Sequence, residues 1–385
     1  AEAREMVRDN PYSFLHVDKA EIDLDESIDL YDERVYAKAK SNLDKMVAEG
    51  VFIQDQAACL YIYRQKRGQH IQTGLVACLS IDDYLNDVIK KHELTRADKE
   101  QDRIRHVDIC DAQTGPIFIT YRSQEQIDSI IEGWIARHQA LYDFVSKDGI
   151  GHTVWIIDQD EVINSLQGLF SHIDSLYIAD GHHRSASAVQ VGLQRRADNP
   201  DHTGQEEYNY FLAVLFPDHD PCIMGYNRLV RDLNDHTPDD FIKLLKKDFE
   251  VQPYSGEGPC QPQAPKTFGM YLEGKWYVLK ARPGSYDADD PVARLDVSIL
   301  QNNLLGPILG ITNPRTDKRI DFVGGVRGLR ELENRVDQDM TIAFAMYPTT
   351  IADLMAISDA GKIMPPKSTW FEPKLRSGIF IHKLT

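Results

Sequence analysis

Leu176-Tyr-Ile-Ala-Asp-Gly-His-His-Arg-Ser185 is a short apolar run that ends abruptly in polar and titratable residues, and a helical pattern of Ser and Ala follows it. The run reads as a strand and the junction as a helix start. Asp180 is the expected N-cap, because its carboxylate can accept from the unpaired amides of the first turn. Gly181 leaves no Cβ between the backbone and a ligand. The helix start supplies free N–H groups and the positive end of a dipole, which suit a phosphate. Arg184 adds a planar fork for phosphate oxygens. His182 and His183 can donate, shuttle protons or ligate metal near neutral pH. The competing reading is a capped helix with exposed histidines.

On either side of this junction, strands and helices mix without a regular βαβ repeat. Residues 31–49 form an amphipathic helix pattern ended by Gly50. Leu60–Tyr63 and Gln72–Leu79 read as paired strands around a turn at Arg67-Gly68. Residues 82–105 read as mostly helical, Pro116–Tyr121 as a strand, and Gln124–Asp143 as a helix. His152–Ile157, Ser175–Ala179 and Phe211–Phe216 add strands. The expected class is therefore α+β, a mixed sheet with surrounding helices. Three segments are expected: an α+β domain over 1–236, a small inserted α+β module over 237–284, and a segment over 285–385 that packs back on the core. The module has a helix at Pro238–Phe249 and strands near Val251, Thr267–Leu272 and Trp276–Lys280. Residues 285–310 read as helix.

The chain has 385 residues, 42% hydrophobic and 27% charged, with a formal net charge of −17. That balance disfavours sequence-independent nucleic-acid binding, which needs a basic surface. A phosphate site must then be a local positive pocket in a negative field. No apolar run approaches the ~20 residues of a membrane span, and residue 1 opens an acidic amphipathic stretch rather than a signal peptide. The lack of an initiator Met leads us to expect that an N-terminal segment is missing. Five cysteines show no CxxC or Cys/His metal spacing. Cys59, Cys78 and Cys222 lie in apolar runs and read as buried, and no disulfide framework is expected, which makes the cytoplasm the default location.

Three further clusters carry chemistry. In Lys90-Lys-His-Glu-Leu-Thr95, read as helical and followed by Asp98, Asp102 and Arg103, His92 and Glu93 project differently, and Thr95 lies near one turn from His92. Carboxylate, imidazole and hydroxyl in one turn suit a general base or an Mg²⁺ ligand, and a solvated charged helix is the plainer reading. Lys362–Gly378 contains three prolines and carries Lys367, Ser368, Thr369, Lys374, Arg376 and Ser377. A rigid irregular loop of this composition suits a phosphate grip, or else a proline-stiffened surface tail that Trp370 and Phe371 anchor. Asn227 and Arg228 suit a substrate carboxylate or phosphate, or a structural ion pair. Gly324-Gly-Val-Arg-Gly328 lacks P-loop spacing and reads as a tight turn. No G-x-S-x-G elbow and no zinc motif occurs.

Together, Ala179-Asp-Gly-His-His-Arg184, His92-Glu93-x-Thr95, Tyr226-Asn-Arg228 and the Met364–Gly378 motif resemble the DUF1015 family over essentially the whole chain, and the resemblance implies that the family's first few dozen residues are missing here. The DGHHR motif is similar to the phosphate-binding turn of the ParB/sulfiredoxin superfamily and its free-serine kinases. The resemblance implies a nucleotide-binding core of that kind. Gly181, His182, His183 and Arg184 would bind nucleotide phosphates, and Asp180 would lie beside the transferred phosphoryl group.

The expected activity is transfer of a phosphoryl group from ATP or ADP, with Mg²⁺, to a hydroxyl of a small metabolite. Asp180, Glu93, His182, His183 and Lys367 are the candidate catalytic residues. Gly181, Arg184, Ser368, Lys374 and Arg376 are candidates for phosphate binding, and His92, Thr95, Asn227 and Arg228 for substrate binding. The expected partners are a nucleotide and that metabolite, with neither nucleic acid nor membrane. The alternatives are a nucleotide-responsive switch protein and a metal-dependent phosphohydrolase with His182, His183 and Asp180 as ligands.

Overall fold

A computed structural model describes residues 2–385. By its internal contacts the chain divides into two units. One runs to Asp220 and resumes at Pro373–Thr385; the other is Pro221–Glu372.

The first unit is built on an eight-stranded mixed sheet. Its order is Ile89–Lys90, Leu176–Asp180, Ile117–Tyr121, Tyr210–Pro217, His70–Ser80, Leu60–Arg67, Gly151–Ile157, Tyr142–Val145. Ile89–Lys90 runs parallel to Leu176–Asp180, and Ile117–Tyr121 parallel to Tyr210–Pro217. The remaining pairs are antiparallel. The expected hairpin forms with Arg67 opposite His70, and Gly68 supplies the positive φ of its turn. On His70–Ser80, Leu75, Ala77 and Leu79 face the apolar core with Ile62, Ile119, Ile178 and Leu215. Period-two alternation therefore turns Cys78 outward. Cys78 is exposed and Cys59 and Cys222 are half-buried, contrary to expectation; Cys110 and Cys260 are the buried thiols.

Helices cover this sheet where their apolar stripes reach it. Glu125–Arg137 inserts Ile127, Ile131 and Trp134, and His182–Asp198 inserts Ala188 and Val189. The helix Glu33–Ala48 is capped by Asp32, whose side chain accepts from the Arg34 amide at 2.9 Å, and the chain turns at Gly50 with φ +71°. Its Val35, Ala39, Leu43 and Met46 form a separate cluster with Val17, Ala20, Cys110 and Ala112.

The second unit is a six-stranded antiparallel sheet. Its order is Phe249–Pro253, Lys275–Ala281, Thr267–Leu272, Ile342–Met346, Tyr226–Val230, Ile320–Gly324. Helices Pro238–Leu245, Arg330–Gln338 and Ile351–Asp359 belong to it. Leu229, Tyr271, Trp276, Val323, Leu332 and Ala343 pack together. The Trp276 indole N–H donates to Glu333 at 2.7 Å, satisfying its polar end.

The α+β class is as expected, and four local expectations are corrected. Residues 82–105 are the short helix Ile81–Leu85, the strand Ile89–Lys90, a loop, and the helix from Ala97 to Cys110. The short strand is recruited by Leu176–Tyr177, a partner distant in sequence. The helix expected to reach Asp143 stops at Arg137, and Tyr142–Val145 pairs with Gly151–Val154 as an edge strand. Within 285–310 only Asp296–Leu305 is helical; upstream, the Asp290 side chain takes the amides of Val292 and Ala293. Finally, residues 237–284 are no separate module. Their strands share one sheet with Tyr226–Val230, Ile320–Gly324 and Ile342–Met346, so the boundary falls at 220/221 rather than 236/237. Residues 285–385 are divided between the units at 372/373. Among the described residues no helix is long and apolar enough to cross a membrane.

Candidate functional site

Tyr177, Ile178 and Ala179 are buried, which fixes the strand up to Asp180. Phe118 pairs with Asp180 and Ile119 with Ile178, so Ala179 is the extra residue of a bulge. Bulges bend a strand and re-aim the side chains that follow. Asp180 is the last strand residue and caps nothing: the N-cap is Gly181, at φ +107° and ψ 25°. That left-handed conformation favours glycine, and a Cβ there would lie 3.1 Å from Nε and Nη2 of Arg184. Among the described residues no side chain caps the helix start, and the amides of its first turn have no intrahelical partner by construction.

The Asp180 carboxylate binds two cations instead. Arg184 Nη2 lies 3.3 Å from Oδ2, and Lys374 Nζ 3.4 Å from Oδ1. All of these side chains are partly exposed. Asp180, Gly181, Arg184 and Lys374 thus converge, although Lys374 is nearly two hundred residues further along the chain.

The histidines point elsewhere. His182 is buried, with its ring edge-on to His92 at 4.4 Å between centroids, and its Nε2 accepts the His92 amide at 3.5 Å. His183 Nε2 accepts the Arg96 amide at 3.0 Å. Both rings therefore hold the loop between Lys90 and Ala97. A ring nitrogen that accepts an N–H carries no proton, so the tautomers are fixed at Nδ1–H. Burial, then the neighbouring His92 and His183 rings, push His182 well below the ordinary imidazole range. On that loop Glu93 is exposed, and Thr95 Oγ1 donates to Glu100 at 2.7 Å. His92, Glu93 and Thr95 are not on a helix as expected.

His92 is buried, and among the described residues neither ring nitrogen has a partner of hydrogen-bond geometry; the Ile178 carbonyl favours its protonated form. Burial lowers its pKa to about 4, against the opposing field of Asp180. In the unfolded chain the ring protonates near its ordinary value. The folded state therefore loses stability as pH falls from about 6.5 to about 4, because the unfolded state binds the proton first. The expected loss from His92 alone is about 2 kcal/mol at pH 5. Urea unfolding of wild type and His92→Leu at pH 7 and pH 5 tests this. The variant should lose less stability on acidification, and parallel losses would refute the assignment.

Beside Arg184 lies a cavity of about 130 Å³, lined among others by Asp18, Arg103, His106, Thr114, Gly115 and Ser377. A Cβ on Gly115 would be 3.1 Å from Ser377 Oγ and 3.5 Å from Arg184 Nη1. The Arg184 guanidinium thus lies between the helix start and the cavity. Thr114 Oγ1 donates to Asp18 at 3.0 Å. Apart from Arg103, Arg184 and Ser377, the sequence alone gives this wall no role in a site. Its residues come from elements whose meeting no local pattern announces.

The remaining candidates divide. Arg376 is paired with Asp148 and donates to Ser146 Oγ at 3.1 Å. Asn227, Arg228, Lys367 and Ser368 belong to the other unit. Asn227 Oδ1 accepts the Met346 amide at 3.0 Å. Arg228 is buried, donates to the carbonyls of Lys367 (3.0 Å) and Tyr226, and sits over the Phe322 ring. Burial lowers its pKa to about 10. Lys367 has φ +61° and places its ammonium over Tyr226. Ser368 is buried, and its hydroxyl donates to the Pro365 carbonyl at 2.7 Å. Trp370 packs on Gly324, where a Cβ would meet the indole at 2.5 Å. The Met364–Gly378 stretch is therefore cut by the unit boundary, with Lys374, Arg376 and Ser377 on one side and Lys367 and Ser368 on the other.

Among the described residues no group of three or more His, Cys, Asp or Glu side chains is placed to hold a metal ion. His182, His183 and Asp180 in particular engage different partners, contrary to the phosphohydrolase ligand set.

The family model described as "Protein of unknown function (DUF1015)" matches residues 1–298. That span contains the Asp180–Arg184 and Asn227–Arg228 motifs but stops short of Lys367. No curated protein matches the chain. Similar solved structures include a free serine kinase in complex with AMP, 14% identical, covering 77% of this chain and 86% of that one, with a TM-score of 0.39. A conserved hypothetical protein from Pyrococcus furiosus is 14% identical, covers 78% and 93%, and has a TM-score of 0.37. A C-terminally truncated SbnI from Staphylococcus aureus is 9% identical, covers 78% and 85%, and has a TM-score of 0.40.

Proposed function

The chain belongs to the DUF1015 family, and for this member we propose a nucleotide-dependent phosphotransferase acting on a hydroxyl of a small molecule, of the free-serine-kinase kind. The observation that carries this reading is the uncapped helix start at Gly181, flanked by Arg184 and Lys374. Uncapped amides, a dipole and two cations at one point form an anion site. In a chain of net charge −17 such a site is a local exception.

The phosphates of ATP or ADP would lie on the first-turn amides, with Arg184 and Lys374 exchanging the Asp180 carboxylate for phosphate oxygens. Such preorganised positive groups stabilise the charge of the transferring phosphoryl group. Asp180 would then be free to orient the acceptor hydroxyl. It would also be the carboxylate to hold Mg²⁺, an oxygen-preferring ion that retains waters and substrate phosphates as ligands. Bound there, Mg²⁺ would neutralise phosphate charge. His182 and His183 act in this reading by fixing the loop that carries His92, Glu93 and Thr95. Arg376, held by Asp148, and the four candidates of the other unit are given no step.

The test is incubation with ATP or ADP, Mg²⁺ and a panel of small hydroxyl compounds, read by ³¹P NMR. A new phosphate ester is the expected result. Nucleotide-specific thermal stabilisation with no ester from any acceptor would reject the kinase in favour of a nucleotide-responsive switch.

A further inference from the structure

The cavity next to Arg184 contains a histidine that the phosphotransferase reading does not use. His106, on the helix Ala97–Cys110, is buried and lines the cavity. Its Nε2 lies 3.1 Å from the Val17 carbonyl oxygen. A carbonyl can only accept, so Nε2 carries the proton and Nδ1 is a lone pair. Among the described residues Nδ1 has no hydrogen-bond partner, yet it is not among the sealed, unpaired polar atoms of the interior. It therefore reaches open space, and His106 is a lining residue of the cavity. Burial above all, with the charge of Arg103, holds the ring below the ordinary imidazole pKa; the Val17 carbonyl, Asp18 and Asp102 oppose this. The ring is neutral at pH 7 and able to accept a proton.

The cavity's charge and size restrict its occupant. Two guanidiniums, Arg103 and Arg184, line it with one carboxylate, Asp18. Arg103 is also paired with Asp102 at 3.2 Å and Arg184 with Asp180 at 3.3 Å, so an anionic group is favoured where it shares these two guanidiniums. A cavity of about 150 Å³ takes a molecule of about six heavy atoms, and this one is about 130 Å³.

Building on the phosphotransferase reading, we propose that this cavity is the acceptor site, that it takes an anionic hydroxy compound of about six heavy atoms, and that His106 is the catalytic base for its hydroxyl. Arg184, between cavity and helix start, would contact both acceptor and phosphate. The acceptor oxygen forms the new O–P bond to the terminal phosphorus. The bridging P–O bond of the nucleotide breaks, and its electron pair leaves with the shortened nucleotide. The hydroxyl proton passes to His106 Nδ1 and from there to solvent.

Glycerate is the probe. In ¹⁵N-histidine-labelled protein without nucleotide, millimolar glycerate should shift the His106 Nδ1 resonance and leave Nε2 protonated. The resonance is assigned by its loss in His106→Gln, or in His106→Asn if the first variant does not fold. Gln retains an N–H for the Val17 carbonyl and lacks the base. With ATP or ADP and Mg²⁺, His106→Gln should phosphorylate glycerate at least ~10²-fold more slowly than wild type, with equal thermal stabilisation by nucleotide in both proteins. Equal turnover in the two proteins overturns the role of His106 and leaves the phosphotransferase standing. No shift at His106 overturns the acceptor site. A shift at His106 with no phosphate ester from any acceptor overturns the phosphotransferase and the base together, and the cavity remains as an anion site.

Discussion

Arg184→Ala is expected to fold as the wild type does and to lose nucleotide recognition. Its pair with Asp180 is 3.3 Å long, and about a third of each side chain is exposed. Such a pair contributes about 0–1 kcal/mol to stability once solvent screening is counted. The functional loss should be much larger. Removal of one charge-stabilising donor from a preorganised site costs roughly 10²–10³ in turnover, or about 3–4 kcal/mol. A nucleotide at about 100 times its Kd stabilises wild type by roughly 2.7 kcal/mol. That shift should be absent in the variant at the same concentration. Thermal denaturation of both proteins with ADP, ATP, CTP and pyrophosphate, each with Mg²⁺, separates the two effects. An undiminished shift or undiminished turnover in the variant would remove the guanidinium from the site.

Gly192→Val is the substitution expected to cost the most stability. Gly192 lies in the helix His182–Asp198, and a Cβ there would be 2.5 Å from the Tyr208 carbonyl oxygen and 2.7 Å from Ile81 Cδ1. The carbonyl is backbone and cannot rotate away, so the helix itself must move. Helix propensity works in the other direction, since glycine is worse than other residues inside a helix by up to about 1 kcal/mol. The clash wins, because overpacking of an interior costs about 1–3 kcal/mol and more where backbone is displaced. We expect a net loss of about 3 kcal/mol, or roughly 6–12 °C in Tm for a unit of this size. The same helix presents Gly181 and Arg184 at its start, so nucleotide-dependent stabilisation should fall as well. A variant that melts with wild type would mean that the helix and the Tyr208 turn are not packed as described.

The sequence was most informative where one local rule sufficed. The apolar run to Ala179 followed by Asp180-Gly181 marked a strand and a helix start, and both are present. The hairpin of Leu60–Arg67 and His70–Ser80 and the helix Glu33–Ala48 followed from alternation and capping. The identity of the cap did not: Asp180 has the right side chain, but the bulge opposite Phe118 and the left-handed φ of Gly181 turn it toward Arg184 and Lys374. Charged periodicity suggests a helix for His92-Glu93-x-Thr95 because it does not distinguish a solvated helix from a loop held by two histidines.

Local composition and hydrophobic period by themselves determined the α+β class, most strand positions, and the cluster at 180–184, because each depends on neighbours within about one or two turns of chain. Tertiary structure alone decided which elements share a sheet and which side chains meet. It joined residues 249–281 to strands at 226–230, 320–324 and 342–346, and cut the Met364–Gly378 stretch between two units. It also brought Lys374 to Asp180, and His106, Thr114 and Ser377 to the cavity beside Arg184. These outcomes depend on pairings between residues tens to hundreds of positions apart. Their free energy comes from burial and ladder hydrogen bonds that form only when the whole chain packs, so no window of sequence contains them.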